Sequence, residues 1–254
     1  MNLLRKNANM IRELAWSDFK LKYYGSFLGL LWSFLRPVFM LGILYLVFYS
    51  FFKVNVEHYV WFLLIGIVFW NFFSDATKDG MQNIVSKAHI LKNINISPLI
   101  IVISSLLQSF LTFMITLIVL FLILFAFGFY PTASFFLFWF YVALTTILVL
   151  GTLLVTIPLS ARFKDFGHLW DIFLQMLFWM TPIVYSESLV PASYIKWYLL
   201  NPLSRVIMDA RTTILYHAFP DPKQIFITLG IVSLILLLGC VIFKRFGKTL
   251  TEEL

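Results

Sequence analysis

FLGLLWSFLRPVFMLGILYLVFYSFF, residues 27–52, runs for 26 positions with a single charge, Arg36. Coiled at about 1.5 Å per residue, it covers the roughly 30 Å hydrocarbon core of a bilayer. It is longer than the roughly 7–15 apolar residues of a signal-peptide core, so it reads as a retained first span. Working outward, further apolar runs follow at about Tyr59–Ser74, Pro98–Phe129, Ser134–Ser160 and Ile225–Phe243. A fifth run, Ile172–Tyr185, is too short to cross unless Leu169 and Trp170 join it or Pro182 breaks it into a partial span. The end of the second span, at Asp75, Lys78 and Asp79, carries no proline to mark it.

Composition points the same way. Of 254 residues, 61% are hydrophobic and 12% charged, against roughly 45–50% and 25% in soluble domains. A water-facing globule of this size has no interior for that much apolar side chain. Six spans would take roughly 120–150 residues and leave too few for a second, catalytic domain. The expectation is an all-α integral membrane protein: one domain over residues 1–254 with six transmembrane helices.

The flanks complete this outline. Ile11, Leu14, Ala15, Phe19 and Tyr23 recur at helical spacing opposite Arg12, Glu13, Ser17 and Lys20, which predicts an amphipathic helix in the headgroup plane within residues 1–26. Residues 27–185 hold spans one to five. The segment 186–223 carries Pro191, Pro202, Pro220 and Pro222 and is too polar to span. Within it, Asn201 and Pro202 make a cap and first-turn pair, and Leu203, Ile207, Ala210 and Ile214 follow at helical spacing. One or two short amphipathic helices are therefore expected to dip into the outer interface. Residues 224–254 hold the sixth span and a tail. Thirteen of the 19 Lys and Arg lie in the N-terminal segment, the 75–97 loop, the 161–171 loop and the tail, and five lie on the opposite side. That bias predicts cytoplasmic termini. It also assigns the net charge of +7 to topology and argues against a nucleic-acid partner.

Catalytic and metal chemistry find no purchase. His58, His89, His168 and His217 occupy four separate segments, and Cys240 stands alone in an apolar run, so no metal-ligand set forms. Gly247-Lys248-Thr249 imitates the end of a phosphate-binding loop, but the glycine required five positions earlier is Ile242. Intramembrane carboxylates, which ion-driven carriers need, are almost missing. We therefore expect no enzyme activity, metal or cofactor on this chain. Arg36 either snorkels to the headgroups or meets an anionic substrate. Ser105, Ser109, Thr112 and Thr116 share a face of span three, and Thr145, Thr152 and Thr156 share one of span four, which predicts close packing of those two spans. Trp32 and Phe39 in span one, and Phe173, Phe178 and Trp179 in span five, carry rings near mid-membrane depth. Facing lipid is the simplest use of any one of them, although a ring face can also stack on a sugar.

Three motifs carry a resemblance. Asp18-Phe19-Lys20-Leu21-Lys22-Tyr23-Tyr24-Gly25-Ser26-Phe27-Leu28-Gly29 leading into Trp32, the stretch Trp179-Met180-Thr181-Pro182-Ile183-Val184-Tyr185, and the turn Leu200-Asn201-Pro202-Leu203 together resemble the membrane subunit of ATP-binding-cassette polysaccharide exporters, the permeases for O-antigen, capsule and teichoic acid. One departure is Arg36-Pro37, where such permeases more often carry Asn-Pro. The resemblance implies a multi-pass protein of the bacterial inner membrane that works as a homodimer around a central conduit for a lipid-linked polysaccharide. It also implies a separate ATPase subunit that binds the ATP and Mg. By the same resemblance, Ile84, Lys87, His89, Ile90, Leu91 and Lys92 belong to a helix that couples to the ATPase. Spans one and five would line the conduit, making Trp32, Arg36, Phe39, Phe173, Phe178 and Trp179 candidates for substrate contact. A drug- or lipid-exporting permease of the same architecture is the alternative. A membrane glycosyl- or acyltransferase would need clustered acids or histidines, and Asp165 with His168 is the nearest approach to one.

Overall fold

The computed structural model describes residues 2–53, 56–88, 96–191 and 193–247, and among them every regular element is helical. Helix α1 (Asn2–Tyr23) leads through a loop, where Gly25 and Gly29 take left-handed φ of 73° and 46°, into α2 (Trp32–Tyr45). A 3-10 turn precedes α2 and a wider turn over Leu46–Phe51 continues it, so Gly29–Phe51 makes one apolar rod. Then come α3 (Tyr59–Ser86), α4 (Pro98–Ala126), α5 (Phe135–Arg162), α6 (Phe166–Trp179), the short α7 (Ile195–Tyr198), α8 (Pro202–Leu215) and α9 (Pro222–Phe246). Proline opens α4, α8 and α9, where its missing N–H costs nothing. Asn201 and Asp221 cap the last two by accepting from the N–H groups of Leu203 and Lys223.

Helix α3 is the axis of the bundle. Its sequence is apolar on all sides from Tyr59 to Ser74, the signature of a helix surrounded by others, and it packs against α2, α4, α5, α6 and α8. Leu63, Ile65, Ile67, Phe69, Ala76 and Ile84 are fully buried. Among the described residues five rods are long and apolar enough to cross a membrane: Gly29–Phe51, α3, α4, α5 and α9.

Three expectations change. The second span was expected to end near Ser74, but α3 continues as helix to Ser86. Each charge it picks up on the way meets an opposite charge from another element: Asp75 with Arg36, Lys78 with Asp171, Asp79 with Lys22, and Lys87 with Asp18. The hydroxyl stripe on α4 does not serve chiefly to join α4 to α5. Ser105 accepts from Asn83 of α3 and Thr112 from Tyr23 of α1, so the stripe faces those two helices. Span four instead meets α9, where Gly151 and Gly239 lie so close that a side chain on Gly239 would collide with the Gly151 carbonyl.

The third change concerns the outer segment. Helix α8 does not lie with one face in the interface. It is buried nearly all round between α3, α5 and α9, with Arg205, Asp209 and Arg211 included. Arg205 and Asp209 pair one turn apart, 3.3 Å, while Arg211 spends its donors on backbone carbonyls. Each charge on the helix thus has a partner inside the bundle, although among the described residues Arg205 Nε and Asp209 Oδ2 are buried without a hydrogen bond.

Candidate functional site: a charged cavity beside the first span

Where α1, α2, α3 and α4 converge they leave an open cavity of about 400 Å³. Sequence dictates its wall. From the α1–α2 loop onward, Ser26, Gly29, Trp32, Ser33 and Arg36 recur about every three residues and face it, while Phe27 and Leu31 between them point outward and are exposed. On α3, Asn71, Asp75 and Asp79 recur every four residues and form the opposite wall. Ser109, Thr112 and Thr116 of the α4 stripe close the back.

Two ion pairs cross this space. Arg36 Nη1 donates to both oxygens of Asp75 at 3.1 and 3.0 Å, with the Arg36 side chain 65% exposed. Lys22 Nζ donates to Asp79 Oδ2 at 2.7 Å. Burial alone would lower the Lys22 ammonium, but Asp79, assisted by Asp75, outweighs it and holds its pKa above the ordinary lysine value. The cavity thus carries two positive and two negative groups.

The predicted aromatic candidates divide. Trp32 lines the cavity. Phe39 on α2, and Phe173 and Trp179 on α6, are about half exposed, on two helices that approach where Phe48 and Trp179 lie 6.5 Å apart. Phe178 turns inward, its ring 5.4 Å from Trp70. Of the coupling candidates, Ile84 is fully buried on α3 and Lys87 pairs with Asp18, while His89, Ile90, Leu91 and Lys92 lie outside the described residues. Among the described residues no group of three or more His, Cys, Asp or Glu is placed to hold a metal ion.

A family model described as ABC-2 type transporter matches residues 10–215, which include every residue that lines this cavity. The chain belongs to that family. It is 26% identical over 199 residues to an O-antigen export system permease protein RfbA of Klebsiella pneumoniae, covering 76% of this chain and 75% of the relative. To an O-antigen export system permease protein RfbA of Myxococcus xanthus it is 24% identical over 230 residues, covering 90% and 88%.

In this ABC-2 transporter the two C-terminal motifs dock on one another. Asn201 donates 3.0 Å to the Thr181 hydroxyl, Tyr185 donates to the Trp179 carbonyl, and Tyr59 of α3 donates 2.7 Å to the Val184 carbonyl. Arg211 then gathers the carbonyls of Phe62, Pro182 and Ile183. The stretch 180–185 is not helical, and its orphaned carbonyls need donors that water cannot supply deep in a bundle.

Sequence reasoning missed Lys22, Asn71, Asp75, Asp79 and Ser109 as members of one site. A signal existed in the four-residue spacing of Asn71, Asp75 and Asp79, which places them on one helix face. What the sequence lacked was the end of α3.

Proposed function

We propose that this permease is one half of a passive conduit: two copies enclose a route through which a lipid-linked polysaccharide of O-antigen type leaves the cytoplasm. A separate ATPase subunit binds ATP and Mg and supplies the work. The naming of the relatives supports the polymer class. The observation that carries the conduit is the exposure of large rings on spans one and five: Phe39 on α2 and Phe173 and Trp179 on α6 are about half uncovered, in two helices that both pack on α3. Ring faces of this kind stack on sugar rings without fixing any one unit, which suits a chain that slides.

On this reading the membrane is the bacterial inner membrane and it is crossed six times, with both termini cytoplasmic. Helix α6 alone has 14 residues, about 21 Å, which is short of a bilayer core. It runs antiparallel to α3, from Asp171 beside Lys78 to Pro182 and Ile183 beside Arg211 at the level of Phe62. The sixteen residue steps of α3 from Phe62 to Lys78 amount to about 24 Å. Completed by residues 180–185, the fifth run thus makes most of a passage. Helix α1 lies at the inner surface, and the segment after α3, with Ile90 and Leu91, meets the ATPase.

The test is complementation. Cells lacking the permease gene receive either the wild-type gene or Phe39→Ala with Trp179→Ala, and surface polymer is measured against membrane-inserted permease. The reading expects normal insertion with at least a tenfold fall in surface polymer. Full export by the double variant would return both rings to the lipid-facing class.

A further inference from the structure

The charged cavity has more in it than a pair of salt bridges requires. Arg36 uses only Nη1 on Asp75, and its Nη2 and Nε meet no protein acceptor among the described residues. Asp79 uses only Oδ2 on Lys22, and its Oδ1 likewise takes no donor there. Ser109, 4% exposed, lines the cavity with a hydroxyl that has no hydrogen-bond partner. A buried hydroxyl without a partner costs about 1–3 kcal/mol, so such a group points to an occupant.

We propose that this cavity is a binding site for the headgroup of a zwitterionic aminophospholipid. The free guanidinium edge of Arg36 takes the phosphodiester, a planar two-donor contact suited to phosphate. The ammonium sits between the carboxylates of Asp75 and Asp79, and Ser109 at the back supplies a further hydrogen bond. Net charge selects the class. Two cations and two carboxylates give zero, so a headgroup with only negative charge would bring it up against Asp75 and Asp79, whereas a zwitterion meets an opposite charge at both ends. A volume of about 400 Å³ lies within the range of small-molecule sites.

The mouth argues for a lipid over a soluble ligand. Phe27 is fully exposed, and Leu30 and Leu31 are substantially so, on the same turn whose other face lines the cavity. A polar, charge-balanced pocket rimmed by uncovered apolar side chains has the polarity profile of an amphiphile. The inference rests on the proposed membrane placement, with the α1–α2 corner at the inner headgroup level.

The test uses the purified permease–ATPase complex, delipidated and then offered phosphatidylethanolamine, phosphatidylglycerol and a polyprenyl diphosphate at equal mole fractions, with retained lipid read by native mass spectrometry. Phosphatidylethanolamine is expected to be retained about tenfold over phosphatidylglycerol, and Arg36→Gln to abolish that preference, the loss of one bidentate charge-assisted contact. Ser109→Leu, which fills the back of the cavity and leaves both ion pairs intact, should do the same if Arg36→Gln does not assemble. Equal retention of the two phospholipids overturns the proposal, as does preferred retention of the diphosphate, or a preference that survives Ser109→Leu. No polymer is present in this measurement, so a complex that exports but shows no lipid preference sinks this inference alone, and a lipid-selective complex that fails to export polymer counts only against the conduit.

Discussion

The guanidinium of Arg211 lies 3.4 Å over the ring of Phe62, and its Nε donates 2.9 Å to the carbonyl of that same residue. The other two nitrogens reach Pro182 and Ile183, so one side chain ties α8 to α3 and to the non-helical turn after α6. Gly66 makes the space: a side chain there would run into the Arg211 guanidinium. Two of the three acceptors, the carbonyls of Pro182 and Ile183, lie outside any helix ladder and depend on this one residue.

Replacing Arg211 with Met keeps the volume and removes every donor. Leaving several buried carbonyls unpaired is expected to cost about 3 kcal/mol or more, with Arg211→Lys recovering only part because a single ammonium cannot reproduce the planar fork. Thermal unfolding of the detergent-purified permease measures this. Equal midpoints for wild type and Arg211→Met would show that the outer turn is held by something else.

The α5–α9 seam offers a second measurement. A Leu at Gly239 must displace the Gly151 carbonyl and press on the Leu154 Cβ, so Gly239→Leu is expected to destabilise by about 1–3 kcal/mol, the range for an overpacked contact. Gly230 on the same helix faces open space, so Gly230→Leu should be close to neutral. The contrast between the two variants in the same unfolding assay separates packing from helix propensity.

How much of this was legible beforehand follows from which partner each residue needed. Helices α4, α5 and α9 start and stop within a few residues of their apolar runs, because proline and hydropathy are local signals. The continuation of α3 past Ser74 was hidden because Asp75, Lys78, Asp79 and Lys87 look like a loop until each is given its counter-charge from another element. In the sequence Arg211 is only one of the five cations on the outer side. Its partners are carbonyls 28, 29 and 149 positions away, and a carbonyl has no sequence signature. The cavity shared that fate: its residue types were visible, but their convergence depended on where α3 ends and how α1 folds back on α4.

Helix α1 is held to α3 by Asp18–Lys87 and Lys22–Asp79. Because the Lys22 pKa is raised in the folded state, its contribution is complete below the unfolded lysine value of about 10.4 and is lost as pH climbs through the folded value. The side chains of this pair are 32% and 26% exposed, so solvent screening keeps the contribution under about 1 kcal/mol. Hydrogen exchange of α1, corrected for the intrinsic rate, should therefore show a loss of protection of roughly fivefold or less above that pH, and none in Lys22→Gln. An alkaline step of the same size in the variant would assign it to another group.

The segment after α3 separates folding from coupling. Ile84 is fully buried against the rest of the bundle, so Ile84→Asp places an uncompensated charge in the core and is expected to cost more than about 3 kcal/mol, with loss of assembled permease from the membrane. Leu91, seven positions further on, belongs to the stretch proposed to meet the ATPase. If that stretch serves coupling, Leu91→Asp is expected to leave unfolding and insertion within about 0.5 kcal/mol of wild type, while surface polymer falls at least tenfold. Measuring permease abundance, nucleotide hydrolysis by the assembled complex and surface polymer in the same strains distinguishes the cases. Hydrolysis that persists in Leu91→Asp without export marks a broken mechanical link, and export at the wild-type level would remove Leu91 from the coupling surface.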